Sequence, residues 1–492
     1  MDDQFDSKTE AFVKWLNHVG VRISAKAELT CLRADGRGRA LVAKGDFAED
    51  ELIFSVPRTS TLSVKAALPE MLSGRQDISP EDIESMPGWA ALTAVIISEG
   101  LRPESKWAPY FNVLPTKLDS LVFWSPEELA ELQASAVLKK VGKDKAEEIF
   151  HQSISKVTPE GTDVDIFHRV ASTIMAYAFD IPDIEQEDEE GANEDDLVDD
   201  DEQKTSLAMI PLADMLNADA DNNARLHYDG EELEMRTINP IKTGEEILND
   251  YGQLPRSDLL RRYGYVTDKY ATFDVAEIST STITDHIYQD LAGELKVYLR
   301  AGEIEARLEL ARREDVYEDA HDVGHATEEW PCISDELVAL VYLLLVGEET
   351  LAAIQSSKMS FPSRSKMETE LVGKALQRIL ERREREYATT VVEDENLLQS
   401  GNHSNRVKMA IQVRMGEKVV LREAKKRREI FKVTTSECSG GKRERGKTMS
   451  TFHKRKAGTD KLTLFLSQAI SKKTQDIRLL NHFILSLLPH LL

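Results

Sequence analysis

Asn249-Asp250-Tyr251-Gly252 sets a phenol between a carboxamide, a carboxylate and a glycine, and Tyr263-Gly264-Tyr265 pairs tyrosine with glycine again a little further on. Three tyrosines beside glycines expose much ring surface unless they line a slot. The plainer alternative is a sheet edge with core aromatics. Ile210-Pro211-Leu212-Ala213-Asp214-Met215-Leu216-Asn217 begins apolar and ends with two side chains, Asp214 and Asn217, that can bind polar groups or cap a turn. Asp35-Gly36-Arg37-Gly38 stands just before a strand pattern. Glycines one residue apart let backbone approach a ligand closely and offer amide donors, although an ordinary β-turn has the same composition. The loop lacks the third glycine and the following helix of a dinucleotide fingerprint, which argues against a nicotinamide cofactor.

The elements around these segments change character four times along the chain. Ser7-Lys8-Thr9-Glu10 has the form of a capping box and predicts a short helix through Phe12, Trp15, Leu16 and Val19, stopped at Gly20. Strands are predicted over Arg39 to Ala43 and Glu51 to Val56, the second ended by Pro57. Helical texture follows from Trp89 to Glu147, with segments at Ala90 to Ile97 and Pro126 to Val137, and continues over Phe167 to Phe179. Thirteen of the twenty residues from Asp183 to Glu202 are acidic and none is basic, so this stretch reads as a disordered loop. Ala224 to Tyr228 and Glu232 to Thr237 flank Asp229-Gly230, a hairpin signal, and Glu246 to Leu248 reads as another strand. Beyond Thr282 come long amphipathic helices, among them Asp335 to Ile354 and Ser365 to Tyr387, with Asp315 to Pro331 as a surface insertion. The expected domains are an N-terminal helix to residue 20, a β domain over 21–268 split by a helical insert near 89–180, a helical domain over 269–424, and a basic, poorly ordered tail over 425–492.

Bulk properties narrow the function. The chain has 492 residues, 41% hydrophobic and 30% charged, as in a soluble globular protein of several domains. The apolar run Leu337 to Val346 is about half of a bilayer span and reads as a buried helix. No secretory signal is visible. Cys31, Cys332 and Cys438 are too far apart for a zinc-ligand pattern or a disulfide framework, which fits a reducing compartment and implies no metal. The net charge of −25 speaks against direct nucleic-acid binding and for a basic protein partner, with no membrane role. The basic clusters Lys425 to Arg428 and Lys442 to Lys456 have the composition of a nuclear-import signal, so the nucleus, with the cytoplasm beside it, is the expected location.

Taken together and in this order, the segments resemble the SET-domain protein-lysine methyltransferases of the Rubisco large-subunit methyltransferase type. Met175-Ala176-Tyr177-Ala178-Phe179, Ala213 to Asp219 and Asn249 to Gly252 look most like the ribosomal-lysine branch in fungi. The resemblance implies an α+β fold: a SET-domain β fold interrupted by a helical insert, then an all-α substrate-binding domain. It implies S-adenosyl-L-methionine as cofactor and a lysine of a basic protein as acceptor, a 60S ribosomal protein before a histone or a transcription factor. A non-catalytic SET-fold binding module is the contrasting reading. Carried over by motif, Asp35, Gly36, Arg37, Gly38, Tyr177, Asn217, Ala218 and Tyr263 would contact the cofactor. Most SET proteins carry His where Ala218 stands, which leaves backbone alone to make that contact. Trp107, Ala178 and Asp180 would face the peptide, and Tyr251 would be the catalytic residue, oriented on the acceptor amine.

Overall fold

A computed structural model describes residues 3–32, 38–183, 205–228, 230–296, 298–327 and 331–426. The acidic stretch beyond Asp183, the loop residues Asp35, Gly36 and Arg37, the turn residue Asp229 and the basic tail lie outside the described residues. The N-terminal helix runs Asp3–His18 and so begins before the Ser7 box. Phe5 extends the apolar stripe of Phe12 and Leu16 by a turn, and the Thr9 hydroxyl donates back to the Phe5 carbonyl at 2.8 Å, so Ser7 lies inside the helix. Gly20, at φ +88, ends the element as its position implies.

The β domain is built from short antiparallel pieces. Strands β1 (Arg22–Ile23), β2 (Ala27–Cys31), β3 (Arg39–Ala43), β4 (Leu52–Pro57) and β5 (Leu62–Ser63) precede the insert. β6 (Ala178–Pro182), β7 (Thr205–Met209), β8 (Ala224–His227) and β9 (Glu232–Thr237) follow it. They form a four-stranded sheet ordered β1-β4-β9-β8, a three-stranded sheet β5-β7-β6 and the pair β2-β3. β9 alternates half-buried and buried side chains, turning Leu233, Met235 and Thr237 inward, as one wetted face requires. Leu41, Phe54, Leu62, Met209 and Met235 join Phe12 and Leu16 in one core that also takes in the insert helix Gly88–Leu101. Residues 246–248 form no strand of their own. They lie along β3, through a Val42–Glu246 bridge and an Ile247 amide on the Leu41 carbonyl.

Two predicted helices are cut short. Pro126–Ala130 and the 3-10 turn Ala136–Lys140 are separated at Gln133, whose φ is +55. Its side-chain oxygen accepts the Ala388 amide from the distant C-terminal module, a contact that rewards the break. The helix Val164–Tyr177 stops at Tyr177, and Ala178 and Phe179 belong to β6.

The C-terminal module contains more than helix. Val275–Ser279 (β10) pairs antiparallel with Ala320–Gly324 (β11), which lies within the interval expected to be a surface insertion. His321 and Val323 of β11 are buried. The apolar run is a buried helix, Asp335–Leu345, bent by 120° at Val346-Gly347 into Glu348–Gln355. Across the module lies the helix Asn405–Lys426. Its Arg406 pairs with Asp119 and Glu128, and its Arg414 with Glu131, all on the insert. Arg414 and Lys418 also hold the buried Asp394.

Gly264 marks a close approach between the end of the β domain and its helical insert. It caps the helix Arg256–Tyr263 at φ +74, and a Cβ there would lie 2.6 Å from the Asp119 carbonyl carbon. Gly264→Ala is expected to cost about 1–2 kcal/mol for left-handed backbone and a further 1–3 kcal/mol or so for the forced contact. Gly244→Ala, at φ +90 with open space around it, should lose only the first part. Urea unfolding of both variants checks this; equal losses would show that the contact at Asp119 is not tight.

Candidate active site

The site forms where two segments distant in sequence lie side by side. Ile210–Pro211 leads into a 3-10 turn, Ala213–Met215, entered through Leu212 at φ +79. The chain then extends through Leu216 to Asp219 and runs parallel to residues 246–250. The Asn249 amide donates to the Asn217 carbonyl at 2.9 Å, and Ala218 bridges Asn249. The Asn217 side-chain amide donates to Glu246 Oε1 at 2.6 Å, which fixes the carboxamide, whose oxygen is an acceptor. Asn223 secures the same strip from the other side, accepting the Leu248 amide at 2.8 Å. The segment ends in Tyr251, whose hydroxyl donates to the Leu216 carbonyl at 3.2 Å.

Tyrosines cluster beside this strip. Tyr251 and Tyr263 stack at 4.2 Å and 9°, and Tyr265 meets Tyr263 edge-on at 6.4 Å. Tyr263 ends the helix Arg256–Tyr263 and Tyr177 ends the helix Val164–Tyr177, so two rigid elements aim their last side chains at one place. Burial, and then the neighbouring tyrosines, push the Tyr251 phenol well above its ordinary value. Burial likewise pushes Tyr177 and Tyr263 up to about 12. These hydroxyls therefore stay protonated at neutral pH and serve as hydrogen-bonding groups, not as phenolate bases.

Comparison with known proteins decides the family. Residues 38–252 match the family model of the SET domain, and residues 299–421 that of the Rubisco LSMT substrate-binding domain. Ribosomal lysine N-methyltransferase 4 of Saccharomyces cerevisiae is 31% identical over 367 residues, a stretch covering 70% of this chain and 72% of the yeast protein. The chain belongs to the SET-domain lysine methyltransferases. N-lysine methyltransferase setd6 of Xenopus laevis is also 31% identical, over 268 residues that span 52% of this methyltransferase and 56% of the frog protein. The fold is shared with LSMT. Its SET domain bound to lysine and AdoHcy superposes with a TM-score of 0.63 at 20% identity, covering 85% of this chain and 90% of that one. Rubisco LSMT bound to AdoMet gives 0.62 at 21% identity, with the same coverage.

Within the methyltransferase the sequence-predicted residues fall in four places. Tyr177, Asn217, Ala218, Tyr251 and Tyr263 stand on the segments and helix ends just described. Gly38 precedes β3: its carbonyl accepts the Leu32 amide at 2.9 Å, and a Cβ there would meet nothing within 4 Å. Ala178 and Asp180 lie on β6, opposite Met209 and Leu207 of β7, with Asp180 exposed. Trp107, expected to face a peptide, is enclosed instead. It is 3% exposed, packed against Trp15 at 5.6 Å and Tyr110 at 6.4 Å, because the N-terminal helix covers it.

Two residues, Glu246 and Tyr110, entered the site without being singled out by sequence, and Asp214 reads in sequence only as a polar-binding or turn-capping side chain. Glu246, which holds Asn217, opens a segment whose sequence reads only as a short strand. Asp214, 6% exposed, accepts from the buried Tyr110 hydroxyl. Burial raises its carboxyl to about 7, against the opposing pull of the Tyr110 hydrogen bond. An acid inside the apolar run Ile210 to Leu216 was the available signal for Asp214. Nothing local marks Tyr110, which lies 104 residues away.

Proposed function

We propose that the protein transfers a methyl group from S-adenosyl-L-methionine to a lysine side chain of a basic protein, a 60S ribosomal protein being the acceptor class. The observation that carries this reading is the tyrosine cluster with Tyr251 hydrogen-bonded to Leu216 beside the Asn217 strip. The donor set suits the cofactor: an aromatic face at Tyr263, a fixed carboxamide acceptor at Asn217, and backbone at Ala218, where a larger side chain is absent. When bound, S-adenosylmethionine supplies an electrophilic methyl on a sulfonium centre.

The chain's own work is alignment. An in-line displacement gains up to roughly 7–11 kcal/mol from holding nucleophile and methyl in register. A lysine arrives with a solution pKa of about 10.4 and must be neutral to attack; desolvation between tyrosine rings lowers that value. Tyr251, kept protonated and with its own proton directed to the Leu216 carbonyl, offers its oxygen lone pairs to the amine N–H groups. Its role is to orient the nitrogen.

The ribosomal reading is supported by the yeast relative, whose match spans more of its length than that of the frog setd6 protein. The thirteen acids between Asp183 and Glu202 complement a strongly basic acceptor in charge. Mass spectrometry of ribosomal proteins from cells with and without this chain tests it directly. A methyl-lysine that disappears with the chain supports the proposal. Labelled methyl appearing on histones or a transcription factor but not on ribosomal subunits would redirect it, and no transfer to any extract would leave a binding module.

Cofactor binding is checked separately. S-adenosylmethionine should raise the melting temperature of the purified protein by mass action, and Asn217→Ala should remove most of the shift. A shift given by a nicotinamide nucleotide and not by S-adenosylmethionine would refute the cofactor assignment.

A further inference from the structure

Arg58 has no task in the mechanism above, yet all three nitrogens of its guanidinium are engaged. It follows β4 in the 3-10 turn Arg58–Ser60. Nη1 donates to the Pro182 carbonyl at 2.7 Å, Nε to the Gly230 carbonyl at 2.8 Å, and Nη2 to the Tyr228 carbonyl. Its own amide donates to the Glu231 carbonyl at 3.2 Å. The side-chain acceptors are all main chain, and hydrogen bonds from a charged donor are roughly twice as strong as neutral ones. They also belong to two different sheets. Pro182 is the last residue of β6, the outer strand of β5-β7-β6, while Tyr228 and Gly230 stand in the turn joining β8 to β9 of the four-stranded sheet.

The strand braced in this way starts beside the site. β6 opens at Ala178, directly after the helix Val164–Tyr177. Arg261 Nη1 reaches Met175 Sδ at 3.9 Å, which sets the end of that helix against Arg256–Tyr263. One side of β6 pairs with β7, and the other has no strand partner among the described residues. Such an edge presents N–H and C=O groups to which an extended chain can pair. Pro182 brings no N–H to that row and so closes it. Asp180, exposed midway along β6, matches a basic chain in charge. The helix fixes the near end of the strand; the far end has its β7 pairing and Arg58.

We infer that Arg58 is a positioning residue for the protein acceptor: it holds the free edge of β6 in the form on which the extended chain around the acceptor lysine lies. The inference rests on the methyltransferase reading. It assigns Arg58 to acceptor binding, and neither to methyl transfer nor to the cofactor. Without the three side-chain bonds the end of β6 must be ordered anew at each encounter, and that entropy is subtracted from affinity. The strip around Asn217 and Asn249 is held by its own hydrogen bonds, through Glu246 and Asn223.

The test compares the full chain with its Arg58→Met and Arg58→Lys variants. Initial rates of methyl transfer from labelled S-adenosylmethionine are read against 60S ribosomal subunits, core histones and a whole-cell protein extract. On whichever of these the parent methylates, Arg58→Met should raise KM roughly tenfold, the loss expected when about one residue of backbone is ordered on binding. Its kcat and its S-adenosylhomocysteine melting shift should stay at the parent values, because only binding of the acceptor is weakened. Arg58→Lys keeps a charged donor on one nitrogen in place of three and should fall between. An unchanged KM in Arg58→Met overturns the inference and leaves Arg58 as a brace for the hairpin alone. A lowered kcat at the parent KM, or a lost melting shift, overturns it too, as a general structural effect. Where Arg58→Met does not fold, Arg58→Lys decides by the same split: a raised KM at parent kcat supports the inference and a parent KM overturns it. If the parent methylates none of the three acceptors, the methyltransferase reading fails and the inference falls with it.

Discussion

Tyr251→Phe should lower methyl transfer by roughly two to four orders of magnitude, as for loss of a group positioned on the reacting amine, and leave the fold and cofactor affinity nearly intact. The reason is the division of labour within the residue. Its ring stacks on Tyr263 at 4.2 Å, and phenylalanine keeps that contact. Its hydroxyl makes a single hydrogen bond, to Leu216, worth about 0.5–1.5 kcal/mol to stability. Single-turnover rates and the S-adenosylmethionine melting shift, measured on the same preparation, separate the two contributions. Parent-like turnover would reduce Tyr251 to a packing residue. A lost melting shift together with lost turnover would make it a cofactor contact.

Asp394→Ala is the substitution expected to harm stability most. Asp394 is fully buried, with Arg414 Nη2 at 2.8 Å and Lys418 beside it, both buried as well. Removing the acid leaves two cations in the interior with the Thr389 oxygens, the Glu131 carbonyl and the Glu131 side chain as what remains. Breaking a buried pair from one side costs about 3–5 kcal/mol. Asp394→Asn keeps hydrogen-bond acceptors and should lose less. Urea unfolding reads both, and a loss under about 1 kcal/mol for Asp394→Ala would show that water reaches the cluster. The surface pair Lys374–Glu370 gives the contrast, since exposed pairs contribute about 0–1 kcal/mol.

The sequence was most legible where signals are local. β3 lies where the Arg39 to Ala43 pattern put it, and β8 and β9 flank the Asp229-Gly230 turn with Leu226 opposite Met235. Both follow from period-two alternation and turn chemistry, which neighbouring residues determine. Failures occurred where a distant partner overrides local preference. Gln133 breaks a helix to reach the backbone at Ala388, and β11 exists because β10 offers it an edge. In the site, motif order brought Tyr251 and Asn217 to notice, but the Glu246 and Tyr110 partners depend on chain crossings that periodicity does not record. Trp107 was placed by motif alone, and the helix that covers it lies nearly a hundred residues upstream, as the Trp15 indole on the Lys106 carbonyl shows.

The reach of the Asn405–Lys426 helix also sets a clock. Arg414 meets Glu131 across 283 residues, and Arg406 meets Asp119 across 287. At synthesis rates of about 5–20 residues per second, the insert waits roughly 15 to 60 s on the ribosome before its cationic partners emerge. During that interval Asp119, Glu128 and Glu131 have only solvent to pair with in place of Arg406 and Arg414. Nascent chains halted before Asn405 should accordingly be cut by protease within residues 119–135, and chains halted well beyond Lys426 should resist. A nascent chain holding Tyr251 and Asn217 but not yet this helix carries both residues without the brace that Arg406 and Arg414 place on the insert.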